Sequence, residues 1–279
     1  MMPKRPTSTL ACFIPHAIEI VYLVSFLKTN KDMTLREAKA ALLAINPKPA
    51  WLVVSSEDAA SQALLFAASV FLMLSTSDWQ DAETLDCYVR RIELQASSPV
   101  VKASEGLEIR VTARSLNQVA GIELIWTSDL REHLHYDAAH RNLSLFRHAS
   151  FLKDRPDSGY PSEYLRETAS TLAILFPYGE SADRRWNRRV RRKAEPDVEV
   201  GISTTVSRNP QDYKFWSQKL VIIQNAFQSS RPTSLRQWYY DTRDGSQYYA
   251  FWFAAIAVMM TLLFGLIQSI TGILQVLKD

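Results

Sequence analysis

Glycine is scarce in this chain, and cysteine is scarcer still. The 279 residues include eight glycines, of which no two lie closer together than Gly265 and Gly272. Phosphate-binding loops of the P-loop and dinucleotide types need glycines a few residues apart, so both classes of nucleotide site are excluded. The two cysteines, Cys12 and Cys87, form at most one disulfide and cannot supply the ligands of a zinc finger. Such low cysteine usage favours a reducing compartment over a small secreted scaffold.

A surplus of positive charge is confined to one place. The formal net charge is +3, but seven positive charges fall within residues 184–193, RRWNRRVRRK. Without this run the remainder of the chain would be net negative, so the basicity is a local patch and not a general nucleic-acid surface. The length predicts one or two domains, and a hydrophobic content of 47% is sufficient for a packed core.

Charged residues are missing altogether from residues 245–277, which contain no Asp, Glu, Lys, Arg or His. The most apolar part of this segment matches the roughly 20 residues that a helix needs to cross a bilayer. Aromatic residues gather at its start, as they do at membrane interfaces. They are Trp238, Tyr239, Tyr240, Tyr248, Tyr249 and Trp252. We therefore predict a single transmembrane helix over 249–271, preceded by a juxtamembrane linker over 231–248.

The charges that flank this segment predict its orientation. Arg231, Arg236 and Arg243 precede it, whereas one basic residue, Lys278, follows it. The positive-inside rule then places the N-terminal part of the chain in the cytosol. The pattern predicts a tail-anchored protein that is inserted after its synthesis ends. We expect an endomembrane derived from the endoplasmic reticulum rather than the mitochondrial outer membrane.

Two other apolar segments are interpreted differently. A secretory signal peptide is one interpretation of residues 10–27, but Pro15, His16 and Glu19 interrupt the apolar region. The alternative is an amphipathic helix with one apolar face formed by Ile18, Val21, Tyr22 and Phe26. Residues 64–74 are very apolar but too few to span a bilayer, which predicts a helix in the core of the soluble part.

The expected fold is mainly α with a small β component, an α+β arrangement in a winged-helix-like order. Residues 1–98 are predicted to be helical, with a capping box formed by Thr34 and Glu37. Residues 99–155 mix a short helix with strands. The predicted strands are 107–111, 122–127 and 142–146. Residues 156–230 are predicted to be helical again and include the basic run.

Several strings of the sequence resemble a widespread, uncharacterised family of filamentous-fungal proteins. The similarity is strongest in GIELIWTSDLREHLHYD (121–137), in LSLFRHASFL (143–152) and in the C-terminal string 235–276. It extends to WLVVSSEDAASQALLFAASVFLML (51–74) and TLAILFP (171–177). The resemblance implies a cytosolic domain of helices and a wing on a C-terminal membrane anchor. It implies no activity, since no function or catalytic residue is assigned to that family.

Four of the five histidines lie between positions 133 and 148, with acidic residues among them. On a strand, residues i and i+2 face the same side, so His133 and His135 could hold one metal ion, with His140 as a further candidate ligand. No HExxH or other defined catalytic spacing accompanies them. The alternative is a set of partly exposed histidines around a turn between strands. The sequence therefore names no catalytic residue and no cofactor.

The arginine run has the period of an amphipathic helix. One face carries Ala182, Trp186 and Val190, and basic residues cover the rest. One hypothesis is contact with an anionic membrane surface through Arg184, Arg185, Trp186, Arg188, Arg189 and Arg192. A second is a nuclear-import or nucleic-acid patch, which a membrane anchor disfavours. A third is a helix whose apolar residues pack on the domain while its arginines face solvent.

Small and polar residues form a stripe along the predicted transmembrane helix. They recur at steps of three or four, and the self-association candidates are Thr261, Gly265, Gln268, Gly272 and Gln275. In lipid, small residues let helices approach closely, and glutamine amides gain by finding a partner across the interface. Glycine is frequent in membrane helices in any case, but the length of the stripe predicts a homodimer through this helix.

These features favour a non-enzymatic, tail-anchored membrane protein with a cytosolic protein-interaction domain. The expected partners are the lipid bilayer, a cytosolic protein and a second copy of the chain, but not nucleic acid. The alternative is a membrane-bound, metal-dependent enzyme that uses the region from His133 to His148.

Overall fold

Helices make up most of the molecule. The computed structural model describes residues 17–45, 56–96, 108–153, 159–177, 181–194, 206–232, 235–240 and 245–278. The helices are α1 (Ala17–Thr29), α2 (Leu35–Ala44), α3 (Glu57–Leu72), α4 (Leu85–Ala96), α5 (Ala113–Gln118), α6 (Ser162–Leu175), α7 (Ser181–Ala194), α8 (Ser217–Ser229), α9 (Leu235–Tyr240) and α10 (Gly245–Lys278). The strands are β1 (Glu123–Thr127), β2 (His135–Asp137) and β3 (Asn142–Phe146). The prediction of a mainly α fold with a small β component is confirmed.

Two predictions in the N-terminal part are confirmed. The Thr34 side chain accepts the backbone N–H of Glu37, and the Glu37 carboxylate accepts the backbone N–H of Thr34, so a capping box begins α2. The predicted core helix is α3, which packs against α1 and α2 and buries Leu64 and Ala67 completely. It ends at Met73, whose φ of 51° is left-handed.

Only half of the apolar face predicted for α1 packs against the core, where Tyr22 and Phe26 are partly buried. Ile18 and Val21 are 64% and 67% exposed, whereas Glu19, Leu23 and Leu27 are buried. The cause is that α1 is apolar nearly all round, so its period alone does not decide which side meets α3. The beginning of the candidate signal segment, up to residue 16, lies outside the described residues.

The strand β3 is the centre of a sheet with the order β1-β3-β2, in which β1 is parallel and β2 antiparallel to it. The strands predicted at 122–127 and 142–146 are confirmed. The strand predicted at 107–111 is not formed over residues 108–111, where the Ile109 N–H instead donates to the Arg208 carbonyl over 2.8 Å. With this strand missing and β1 parallel to β3, the winged-helix-like order is not confirmed.

A buried carboxylate of α6 holds the beginning of α8 in place. Glu167 accepts the backbone N–H groups of Lys214, Phe215 and Trp216 at 3.0, 2.7 and 2.8 Å. The N–H groups at a helix N-terminus lack partners within the helix and attract negative charge, so Glu167 caps α8 from a neighbouring helix. The Trp216 indole N–H also donates to the Thr168 hydroxyl at 2.9 Å. These bonds fix the three residues that lead into α8 against α6.

The short helix α5 contacts both α7 and α9. The Arg114 guanidinium of α5 lies 6.0 Å from the centre of the Tyr240 ring in α9. After α5 the chain turns at Gly121, whose φ of +64° suits glycine, and the Gln237 side chain of α9 occupies the space where a Cβ would lie. The predicted linker 231–248 thus contains a helix, α9, that packs on the domain.

Candidate functional site

Both ring nitrogens of His133 form hydrogen bonds within the core. His133 is fully buried, its Nδ1 accepts the Phe146 backbone N–H at 3.2 Å, and its Nε2 lies 2.8 Å from the Thr171 hydroxyl. Because Nδ1 accepts a hydrogen bond, the network assigns the ring proton to Nε2, which donates to Thr171. Burial, and secondly the charge of Lys219, lower the pKa of His133 to about 3, so the ring is neutral near pH 7.

The other histidines of the metal hypothesis lie elsewhere. Leu134 has a left-handed φ of 55°, which breaks the alternation between His133 and His135, and β2 begins only at His135. His140 is exposed, and its Nδ1 lies 2.6 Å from the Asp137 carboxylate. Within the described residues, no three His, Cys, Asp or Glu side chains come together as a metal-binding group. The prediction that His133 and His135 share one face of a strand is therefore wrong.

A cavity of about 410 Å³ opens between α4, β2 and α8. Small-molecule sites commonly have volumes of roughly 300 to 1,000 Å³. Its wall includes four aromatic side chains, those of Tyr136, Tyr164, Phe215 and Trp216. None of the residues that line it is acidic, and three are basic, Arg131, His135 and Lys219. Its lining is therefore mixed, with apolar and aromatic side chains beside several polar ones.

Lys219 of α8 is one of the residues that line this cavity. Its Nζ donates to the backbone carbonyls of Arg131 at 3.1 Å and His133 at 2.8 Å, and it lies 4.8 Å from the centre of the Trp216 ring. Burial lowers the pKa of Lys219 to about 8, while nearby carboxylates oppose that decrease. A lysine with a lowered pKa inside a cavity is a common mark of a functional site.

Arg131 is occupied by structural ion pairs. Its guanidinium bonds both oxygens of Asp78 at 3.1 and 3.2 Å and lies 3.5 Å from the carboxylate of Asp129. The same guanidinium donates to the backbone carbonyl of Ser75 at 2.6 Å. Asp78 in turn pairs with Arg91 at 3.3 Å. This network ties the loop after α3 to the turn before β2, so Arg131 holds the cavity wall together.

Sequence reasoning missed Lys219 because its position carries no distinctive signal. It lies within residues 156–230, which were predicted to be helical, and the structure begins its helix at Ser217. Lys219 follows the exposed Gln218 and precedes the buried Leu220, at the edge of the core face. A lysine at such an edge is ordinary in any amphipathic helix, and only its contacts with the carbonyls before β2 distinguish it.

The helix α7 turns its arginines to solvent and its tryptophan to the core. The exposed members of the predicted set are Arg184, Arg185, Arg188 and Arg189. Trp186 is only 8% exposed and stacks on Phe176 with ring centres 6.5 Å apart, and Val190 packs against the same core. The hypothesis that Trp186 contacts the membrane surface is therefore wrong, because the domain covers it. The Arg192 side chain lies outside the described part of the chain.

Among the described residues, α10 is the one helix long and apolar enough to cross a membrane. The candidate span is Tyr248–Ile273, 26 residues with a mean hydropathy of 2.3, and none of its most apolar window is buried. Its length of about 39 Å exceeds the roughly 30 Å of a hydrocarbon core. The prediction of a candidate C-terminal membrane helix is confirmed at the level of length and composition.

In the stripe of α10, one hydroxyl already has a hydrogen-bond partner within the helix, and two glycines have empty space beside them. The Thr261 hydroxyl donates to the Ala257 carbonyl of its own helix at 2.8 Å. No neighbouring atom of the chain lies within 4 Å of the place where a Cβ on Gly265 or Gly272 would stand. Gln268 is exposed, as is Gln275. Self-association through these residues stays a prediction.

No family model, curated protein or solved structure matches this chain. The resemblance to the filamentous-fungal family therefore stays a prediction as well. The function has to be argued from the geometry of the molecule itself.

Proposed function

We propose that this is a single-pass membrane protein whose N-terminal domain lies on the cytosolic surface of the bilayer and binds a protein partner there. The helix α10 supplies the span. The observation that carries the proposal is the position of α5, which contacts both the arginine helix α7 and the juxtamembrane helix α9. The helix α7 is thereby held near α9, the helix that precedes the apolar helix in the sequence.

The charge of α7 suits such a surface. Each basic residue close to an anionic membrane contributes about 1 kcal/mol, and guanidinium groups bind phosphate oxygens in a bidentate manner. The apolar residues of α7 are used for packing on the domain, so its arginines bind head groups without inserting. Anionic lipids are enriched in the cytosolic leaflet, which agrees with the orientation predicted from Arg231, Arg236 and Arg243.

Exposed apolar side chains support the protein-interaction part of the proposal. Ile18 and Val21 of α1 are 64% and 67% exposed. Phe66 and Val70 lie on α3, which packs against α1, and are 42% and 37% exposed. Large apolar side chains on neighbouring helices are typical of partner surfaces. The metal-dependent enzyme is not favoured, since His133 uses both ring nitrogens within the protein.

The proposed membrane is an endomembrane derived from the endoplasmic reticulum. The proposed partner of α10 is a second copy of the chain, paired along the stripe that contains Gly265, Gln268 and Gly272. The support for this pairing is that the three residues lie on one side of a helix that the domain does not cover.

Vesicle binding by a shortened chain tests the role of the arginine face. Removal of residues 245–279 leaves every buried apolar residue of the described core, since these lie between Leu23 and Ile223. The shortened chain should float with vesicles that contain phosphatidylserine and should detach at high salt, because screening weakens exposed charge pairs. The triple change Arg184→Gln, Arg188→Gln and Arg189→Gln should weaken binding by about a hundredfold, since three charges amount to about 3 kcal/mol.

A charge-matched control separates this surface from net charge. The triple change Arg90→Gln, Arg110→Gln and Arg166→Gln removes three exposed arginines of α4, the segment before α5, and α6. It should leave most of the vesicle binding intact. Equal binding to vesicles of neutral phosphatidylcholine, or equal losses from the two triple variants, would mean that the arginines of α7 only face solvent.

A further inference from the structure

We propose that the cavity between α4, β2 and α8 binds an uncharged aromatic compound, and that the hydroxyl of Tyr164 donates a hydrogen bond to a carbonyl oxygen of that compound. The proposal is independent of the membrane role and adds a small-molecule site to the molecule. It depends on an unpaired hydroxyl in the wall of the cavity, on the aromatic rings around it and on the charges nearby.

The hydroxyl of Tyr164 lacks a partner although its residue is buried. Tyr164 is 1% exposed and lines the cavity, and its side chain forms no hydrogen bond with the described residues. By contrast, the hydroxyl of the neighbouring Tyr160 donates to the Leu72 carbonyl at 3.1 Å. Buried polar groups in proteins are nearly always paired. An unpaired one in the wall of a cavity therefore indicates a place for a polar atom of a ligand.

The accessible surface of this hydroxyl opens on the cavity. In the part of the chain that the structure describes, the side-chain atoms that are both enclosed and unpaired are Glu19 Oε1, Arg147 Nε, Ser217 Oγ and Trp252 Nε1. The unpaired hydroxyl of Tyr164 differs from these atoms because it is not enclosed by protein. Since the whole residue is 1% exposed and lines the cavity, the surface that remains to its hydroxyl faces that space.

Aromatic rings determine the body of the ligand. The wall includes the rings of Tyr136, Tyr164, Phe215 and Trp216. The Tyr164 ring is fixed in place, since its centre lies 5.0 Å from that of Phe215 and 5.7 Å from that of Trp216. Aromatic rings attract one another in offset-stacked or edge-to-face arrangements. A space of about 410 Å³ beside such rings suits a flat aromatic molecule.

The charges near the hydroxyl favour an uncharged ligand. Burial raises the pKa of Tyr164, and Glu93 and Asp129 raise it further, so the phenol stays protonated and can donate. The same two carboxylates repel an anion at this point. None of the described residues that line the cavity is acidic and could hold a cation, and Arg131 and Lys219 already donate to protein oxygens. A neutral carbonyl oxygen is therefore the acceptor that suits this hydroxyl.

Fluorine NMR of 6-fluoro-2-naphthamide tests the proposal on the full-length protein in detergent micelles, with protein-free micelles as the blank. This compound has two fused rings and one uncharged carbonyl, and 6-fluoro-2-naphthoate is its anionic counterpart. We expect saturable binding of the amide with a Kd at least about fivefold below that of the naphthoate, because a charge without a partner is costly to bury. Equal affinities for the two compounds, or no saturable binding beyond the blank, would overturn the proposal.

A pair of tyrosine variants tests the hydrogen bond. Tyr164→Phe removes the hydroxyl alone, so it should raise the Kd of the amide by about tenfold, since the carbonyl of the ligand loses its donor. Tyr213→Phe makes the same change at a buried tyrosine outside the lining, whose hydroxyl donates to the Ser207 carbonyl at 2.6 Å. It should leave the Kd unchanged. The same Kd for Tyr164→Phe and the wild type would contradict the proposal.

A second pair of variants tests the location of the site. Ile222→Trp places a large side chain on the wall of the cavity at a position that is 45% exposed, and it should weaken binding of the amide at least about tenfold. Asn225→Trp makes a similar addition at an exposed position of α8 that does not line the cavity, and it should have no effect. Equal Kd values for these two variants would place the ligand elsewhere and overturn the proposal.

Discussion

The helices α3 and α10 are both dominated by apolar residues, yet their surroundings are opposite. α3 has 16 residues and buries Leu64 and Leu72 completely, whereas α10 has 34 residues and leaves Leu262 and Phe264 at 70% and 55% exposed. A helix of 16 residues is about 24 Å long, which is shorter than a hydrocarbon core of roughly 30 Å. Apolar content therefore does not separate a core helix from a candidate membrane helix. The two differ in their length and in how far other helices cover them.

A matched pair of leucine truncations should give the largest difference between the two helices. Leu64→Ala removes a fully buried side chain and leaves a cavity, so it should lower the free energy of unfolding by about 2 to 5 kcal/mol. Leu263→Ala, at a position of α10 that is 49% exposed, should leave the unfolding of the part from α1 to α9, called the head below, unchanged. Denaturant titration of the full-length protein in detergent measures both. A comparable loss from Leu263→Ala would show that α10 packs on the head.

Acid should destabilise the head and leave the helix α10 unaffected. The pKa of His133 is about 3 in the folded state, below its value near 6.5 in the unfolded state, so only the unfolded chain gains this proton as the pH falls below 6.5. The stabilisation is present above pH 6.5, and about 2 kcal/mol of it is lost by pH 5. The charge-free span of α10 contains no such group.

The slope of stability against pH isolates this effect from the packing role of the ring. In the His133→Gln variant, the free energy of unfolding should fall by about 2 kcal/mol less between pH 6.5 and pH 5 than in the wild type. This difference does not depend on how stable the variant is at pH 7. His140→Gln changes an exposed histidine and serves as the control. Parallel slopes for the wild type and His133→Gln, measured by denaturant titration, would contradict the assignment of a neutral buried ring.

The smallest expected effect concerns contacts between two α10 helices. Gly265→Ile should weaken self-association by about 1 kcal/mol, because a branched side chain prevents close approach of the helices. Gln268→Leu should weaken it by removal of an interhelical hydrogen bond, worth about 0.6 to 2 kcal/mol. Leu263→Ile lies off the stripe and should change little. A two-hybrid reporter in a bacterial inner membrane compares the three, and equal signals from all of them would define α10 as a monomeric anchor.

Local signals in the sequence predicted much of the fold. The capping box at Thr34 specifies the first residue of α2, and alternation with β-favouring residues specifies β3. The absence of charge over 245–277 predicts α10 because this property depends on no other part of the chain. These predictions succeed where a physical cause lies within a few residues of its effect.

Predictions that depend on distant contacts were less accurate. Ile18 and Leu23 are equally apolar, and only the position of α3 decides which of them is buried. The left-handed Leu134 sends His133 into the core, which no alternation rule anticipates. Lys219 is distinguished by carbonyls that lie more than eighty residues earlier in the chain. Of the interpretations left open for the arginine helix, the one in which Trp186 packs on the domain is confirmed, because Phe176 stacks on its ring.

The six residues of α5 have a mechanical consequence. The helix α10 contacts α9 through Tyr239 and Trp252, whose ring centres lie 5.9 Å apart, and α9 contacts α5 through Tyr240 and Arg114. α5 leads through Gly121 directly into β1 and also contacts α7. Tension applied to α10 passes along the backbone through α9 to α8, and the contacts of α9 with α5 couple that route to β1 and α7. We expect the head to yield to a pulling force at this end before the packing of α1 and α2 on α3 is disturbed.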